Sequence, residues 1–272
     1  MKSQFGIIII LLLFYHQVYS CPTKVSEWTL LNFIPLSYQL LYFTNVEPEP
    51  SIVQKHEKIE PVIEKANIQF HAINISRLKS EHERAVFAWI SGKNLPVYAL
   101  YYQNRLFAQF NDLTDITRLI ESPLRTSIAN ELKSGKLCVL LYLKCGDVAQ
   151  DQPVANALEE TLSKSILKDI IPVIHLSRDN PDEHRFIQLL LKVEPDLEIL
   201  PQPMLFGIFG RFRVLEPLVG KGITQENINY LIQFLSADCS CLIKDQMPGI
   251  DMLYLNQWED VKPALLNAII DQ

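Results

Sequence analysis

Residues 95–110 read LPVYALYYQNRLFAQF, and residues 202–218 read QPMLFGIFGRFRVLEPL. In each, a proline opens an apolar, aromatic-rich run, a tight turn follows at Gln103-Asn104 or Gly210, and a second apolar run returns. Such a pattern predicts an antiparallel hairpin: strands at 97–102 and 106–110 in the first stretch, 204–209 and 212–218 in the second. A proline cannot donate to a sheet ladder, so the first position of a strand suits both Pro96 and Pro203.

Upstream of each hairpin the chain alternates in the same way. Residues 39–43 form an apolar run, 51–66 carry helical spacing at Ile52, His56, Ile59 and Ile63, 70–75 form a second run, and 80–90 are helical. The second stretch is preceded by runs at 138–143 and 173–176 and by helical patterns at 154–167 and 182–192. Helices are expected to follow the hairpins, from Thr114 and over 225–235. The order β-α-β-α-β-β-α therefore occurs twice. At an offset of 101, Ser76 meets Ser177, Arg77 meets Arg178, Glu81 meets Asp182 and Arg84 meets Arg185, as internal duplication requires. Strands joined through a helix run parallel and hairpin strands antiparallel, so each unit is expected to be a mixed sheet with helices on both faces. The organisation read from this is a first unit over 38–122, a connecting helix over 123–135 and a second unit over 136–237. A segment at 21–37 precedes them, and a tail follows at 238–272.

The arrangement resembles the thioredoxin fold, an α/β class, here as two tandem thioredoxin-like units. Leu95-Pro96-Val97 and Gln202-Pro203-Met204 look like that family's proline leading into an apolar strand, so Pro96 and Pro203 serve as markers of the fold. The resemblance implies that such a proline is cis and lies against the active site. It also implies a Cys-Gly-Pro-Cys motif where the first strand of a unit meets its helix. There the helix dipole and backbone donors lower the thiol pKa, and the second cysteine closes a disulfide. Here the second unit reads Lys144-Cys145-Gly146-Asp147-Val148, with valine in the resolving position, and the first reads Thr44-Asn45-Val46-Glu47, with no cysteine. Dithiol exchange by either motif is not expected. Cys145 is left as a single thiol that Lys144 would assist and Asp147 oppose, or as an ordinary strand-end cysteine.

Cys239-Ser240-Cys241 is the other candidate. Two cysteines one residue apart close only a strained, easily reduced ring. Three readings stay open: a redox pair, a bridge from one member to Cys145 or Cys138, and free thiols. No metal is expected, because about four ligands are needed and no second Cys pair or His-x-x-His lies nearby. The ending from Cys239 through Lys244, Pro248-Gly249 and Asp251 resembles that of exported bacterial proteins with such tandem domains, a likeness that brings no activity with it.

At the N-terminus, Lys2, an apolar core from Phe5 to Tyr15 and Val18-Tyr19-Ser20 have the order of an export signal over residues 1–20. Its apolar run is about eleven residues, short of the roughly twenty a membrane-spanning helix needs. Val18-Tyr19-Ser20-Cys21 also resembles a bacterial lipobox, which makes Cys21 the candidate lipidation site and a lipid there the expected tether to the membrane; ordinary cleavage after Ser20 is the alternative.

A formal charge of −6 argues against a nucleic-acid partner, since phosphate binding draws on a cationic surplus. The one dense basic spot, Arg211 with Arg213, is expected to be a solvated edge. Hydrophobic residues make up 48% of the chain, enough to bury a core without help from its five cysteines. His71 and His175 fall in strands and are expected at the edge of the core, and Asn74-Ile75-Ser76 is a glycosylation sequon. No phosphate loop, Gly-x-Ser-x-Gly, His-Glu-x-x-His or EF-hand run is present, and no cofactor is expected. The leading expectation is a non-catalytic protein of the cell envelope that binds a protein partner. The alternative is an envelope thiol-disulfide oxidoreductase using Cys239 and Cys241, with Cys145 as a possible third thiol. A structural envelope subunit reads the same in sequence as the first.

Overall fold

The computed structural model describes residues 23–78, 81–90, 94–103, 105–113, 116–238, 247–255 and 258. Cys21, Cys239 and Cys241 lie outside the described residues.

Two mixed sheets organise the chain. In the first unit β1 (Tyr38–Thr44) is central, parallel to β2 (Ile68–Asn74) and antiparallel to β3 (Val97–Tyr102), which turns at Gln103 into antiparallel β4 (Arg105–Phe110). The order is β2-β1-β3-β4. In the second unit β5 (Val139–Lys144) is parallel to β6 (Val173–Ser177) and antiparallel to β7 (Met204–Phe209). The turn at Gly210 leads from β7 into β8 (Arg213–Val214), and β9 (Leu218–Val219) pairs with the start of β7. Pro217 separates β8 from β9, where the sequence pattern suggested one strand, because a proline has no donor for the ladder. Pro96 and Pro203 each precede the strand antiparallel to the unit's first one, so they hold the same place in both sheets.

The helices are α1 (Val25–Asn32), α2 (Pro50–Ile63), α3 (Glu81–Ala88), α4 (Ile116–Ile120), α5 (Pro123–Lys133), α6 (Val148–Ser163), α7 (His184–Leu190) and α8 (Gln225–Ser236). Strand alternation sends successive side chains to opposite faces. On the second sheet Leu140, Tyr142, Leu205 and Phe209 pack with Val25 of α1, Val154 and Leu158 of α6 and Ile228 and Ile232 of α8. Val139, Leu141, Leu143, Phe206 and Ile208 share the opposite core with Ile128 of α5 and Phe186 and Leu190 of α7. On the first sheet Leu41, Phe43, Val97 and Ala99 meet Val86 of α3 and Ile90 just past it, while Leu40, Tyr42, Tyr98 and Leu100 face the core that holds Ile63 of α2 and Ile116 of α4. Each unit is thus a mixed sheet covered on both faces, and the two form a tandem thioredoxin-like fold. One apolar core runs through both.

Segments at each end of the described chain tie the units together. Helix α1 belongs with the second unit: Val25 is fully buried and its N–H donates to Ala237 O at 3.0 Å. Past α8, β10 (Ile250–Asp251) pairs with β8, and Met252, Leu253 and Tyr254 are buried. Asn67 of the first unit donates to Met252 O and accepts from Tyr254 N.

Candidate functional site

The site in question lies where β5 leaves the second sheet. Val139 to Leu143 are buried, and the chain turns out through Cys145 and Gly146, whose φ of +90° suits a residue without a side chain. Asp147 then caps α6 by accepting from Ala149 N at 2.9 Å. One turn on, Asp151 points back. Its carboxylate accepts from Cys145 N at 3.1 Å, from Gly146 N at 2.9 Å and from the Tyr142 hydroxyl at 2.9 Å. Despite its partial burial, these bonds hold the Asp151 carboxyl below its ordinary range.

The consequence for Cys145 is direct. Backbone donors at a strand-helix junction are what would stabilise a thiolate, and here a carboxylate has taken them. Desolvation raises the thiol pKa, and the negative charges of Asp151 and Asp147 raise it further. Sequence reasoning assigned the opposing charge to Asp147. The larger part belongs to Asp151, which the turn at Gly146 brings back to the thiol. Cys138 is fully buried, and burial pushes its thiol up to about 12. Both cysteines are free thiols.

Arg178, which follows β6, holds the loop opposite. It donates to Leu200 O at 2.6 Å and Gln202 O at 3.2 Å, and so fixes the approach to Pro203. Between this loop and the start of α6 lies a groove of about 430 Å³, lined among others by Ala149, Pro153, Val154, Gln202, Pro203 and Lys221. Val148, 76% exposed, stands just before it in the chain. The corresponding corner of the first unit holds no thiol; there Arg77 pairs with Glu47 at 3.2 Å in the open. Leu95–Pro96 is the one cis peptide among the described residues, so the bond before Pro203 is trans.

The basic pair Arg211 and Arg213 is not a solvated edge, since the two residues are 7% and 5% exposed. Arg211 donates to Leu30 O and Leu31 O, the free carbonyls at the end of α1. Arg213 binds Asp251 at 2.7 Å, donates to the carbonyls of Met247, Pro248 and Gly249, and stacks on Phe33 at 4.7 Å. A guanidinium can be buried when its donors are matched this fully, and only the folded-back tail supplies the acceptors. His71 and His175 are exposed rather than at the core's edge, because each lies on a sheet-edge strand. Among the described residues no cluster of ligands suits a metal ion, and no helix is long and apolar enough to cross a membrane.

The strand order and pairing define the class, a tandem thioredoxin-like protein. No protein-family model matches the chain, and no curated protein does. Among solved structures it is similar to the first two thioredoxin domains of Eps1p from Naumovozyma dairenensis, at 12% identity and a TM-score of 0.27, covering 82% of this chain and 99% of that one. It is also similar to the zinc-bound form of human ERp44, at 8% identity and a TM-score of 0.26, covering 82% of this chain and 59% of that one. The fold assignment rests on the strand order, not on these superpositions.

Proposed function

We propose that the chain is a non-catalytic binding protein of the cell envelope, carried there by its N-terminal signal and tethered by a lipid on Cys21, and that it takes a protein partner in the groove beside Pro203. The observation that carries this reading is Asp151. Its carboxylate occupies the backbone donors a reactive Cys145 would need, while the adjoining groove keeps an apolar floor at Val154 and Ile223 and a polar rim at Gln202 and Lys221. Such a combination favours binding over exchange, because partner recognition needs the concave apolar surface and not the thiolate.

Insulin reduction by the mature protein, with and without Cys239→Ser, tests the catalytic half. No activity above background is expected. Activity that disappears in Cys239→Ser overturns the reading in favour of a thiol-disulfide oxidoreductase built on Cys239 and Cys241. Crosslinking from a photoreactive residue placed at Gln150 tests the binding half, and a partner lost on Ala149→Arg, at an exposed residue of the groove, is the expected result.

A further inference from the structure

Helix α2 covers one face of the first sheet with a narrow stripe: Ile52, His56, Ile59 and Val62 are partly buried, Ile63 is buried, and most of the helix's other side chains are exposed. His56 sits in the middle of that stripe. Its ring lies 4.8 Å from Tyr42 of β1 and 4.8 Å from Phe70 of β2, and Nε2 is 2.8 Å from the Tyr98 hydroxyl of β3. Tyr98 is 2% exposed and stacks on Phe110. From the geometry we infer that His56 is a pH-sensitive latch, which holds α2 on the first sheet when neutral and releases it when protonated.

The physical sequence is short. A neutral imidazole that accepts the Tyr98 bond carries its hydrogen on Nδ1. Protonation places a donor at Nε2 opposite the phenol, which must then turn its own hydrogen into aromatic surroundings. It also puts a charge where helix and sheet keep water away. Of the ionisable side chains on the packed strands, Tyr42 and Tyr98 lie against His56, with Glu49 acting on Tyr42 and Asp112 on Tyr98; Tyr38 and Tyr102 share that core, Tyr101 packs on the other face of the sheet, and His71 is exposed. Desolvation lowers the His56 pKa in the docked state. A group whose pKa is lower when docked contributes docking stability above its free value of about 6.5, and loses it as pH falls through the docked value. Across that window the undocked population rises by up to about tenfold per pH unit. The second unit has no counterpart, since the buried side of α6 is Val154, Leu158 and Thr161.

Hydrogen exchange on the mature chain at pH 7.5 and 5.0, expressed as protection factors, tests the latch with α6 as internal reference. The amides of α2 are expected to lose at least about threefold in protection at pH 5.0 while those of α6 hold, and His56→Leu is expected to keep α2 protected at both values. Equal protection of α2 at both pH values, or the same acid loss in His56→Leu, overturns the inference. Should His56→Leu fail to fold, proton NMR titration of His56 decides: a midpoint below 6.5 that moves up in Tyr98→Phe supports the latch, and a midpoint at or above 6.5, or one unmoved in that variant, refutes it.

Discussion

At the scale of single residues, the competition between Asp151 and the Cys145 thiol for the same N–H groups sets the chemistry of the second unit. A neutral amide at position 151 removes the negative charge and keeps one acceptor oxygen in place of two, so it serves Cys145 N or Gly146 N but not both. Asp151→Asn is therefore expected to lower the Cys145 pKa and speed its alkylation by iodoacetamide at pH 7.5 by about threefold or more, since each unit of pKa changes the thiolate fraction about tenfold. The measurement belongs in a Cys21→Ser/Cys239→Ser/Cys241→Ser background, where Cys138 stays silent because it is buried. An unchanged rate would show that the carboxylate does not govern the thiol. The same carboxyl has a depressed pKa, so its contribution to stability is complete above the ordinary carboxylate range and is lost as pH falls through its folded value. Loss of Tyr142, the third donor, is expected to weaken that acid dependence. Of this site, Cys145 and the missing resolving cysteine were legible in sequence. Asp151 was not, because what it accepts is set by the turn at Gly146 and not by residue type.

Elements show where local pattern suffices and where it does not. Strands β3 and β7 were readable to the residue, since a proline, an apolar run and a turn residue mark both ends. Helix α1 was not separable from its segment. It packs on α8 and β7 and is capped by Arg211 from the turn of the second hairpin, so its stability is tertiary and leaves little amphipathic trace. Helix α6 starts six residues before the expected Val154, because Pro153 reads as a breaker; here it lies within the helix and helps to line the groove. The turn of the second hairpin holds α1 by close approach: Gly210 has φ +57°, and a Cβ there would stand 2.4 Å from Thr29 Cγ2. Gly210→Ala combines a strained φ with this clash and is expected to destabilise the protein by about 1–3 kcal/mol, read by urea unfolding, with exchange protection lost first in α1. Thr29→Ala in the same background is expected to restore part of the loss, since it removes the atom being struck.

Across the whole molecule the two units share one core, and a buried ion pair sits where that core closes. Asp251 receives Arg213 from the second unit at 2.7 Å and the Tyr102 hydroxyl from the first at 3.0 Å; Tyr38 of the first unit donates to Asp251 O at 2.9 Å. Arg105 of β4 reaches across to Lys192 O at 2.8 Å. The sequence offered Arg213 and Asp251 as unrelated charges 38 positions apart, because a contact that crosses two units has no local period. A buried, hydrogen-bonded pair adds little net stability over an apolar substitute, but removing one partner strands the other and costs about 3–5 kcal/mol. Arg213→Met is therefore expected to be severely destabilising, while Arg213→Met/Asp251→Asn recovers a substantial share, because the double variant leaves no uncompensated charge. The pattern of unfolding distinguishes a clamp between units from a pair that merely stabilises β8. In the unaltered protein the amides of both sheets are expected to lose exchange protection in one transition as urea rises, since neither unit can expose its side of the shared core alone. In Arg213→Met the strands of the first sheet, whose anchors Tyr38 and Tyr102 then bind an Asp251 no longer held by Arg213, are expected to open at lower urea than β5 and β7. Two transitions in the unaltered protein, or one common transition in the variant, would show that the shared core and not the ion pair couples the units, or that nothing does.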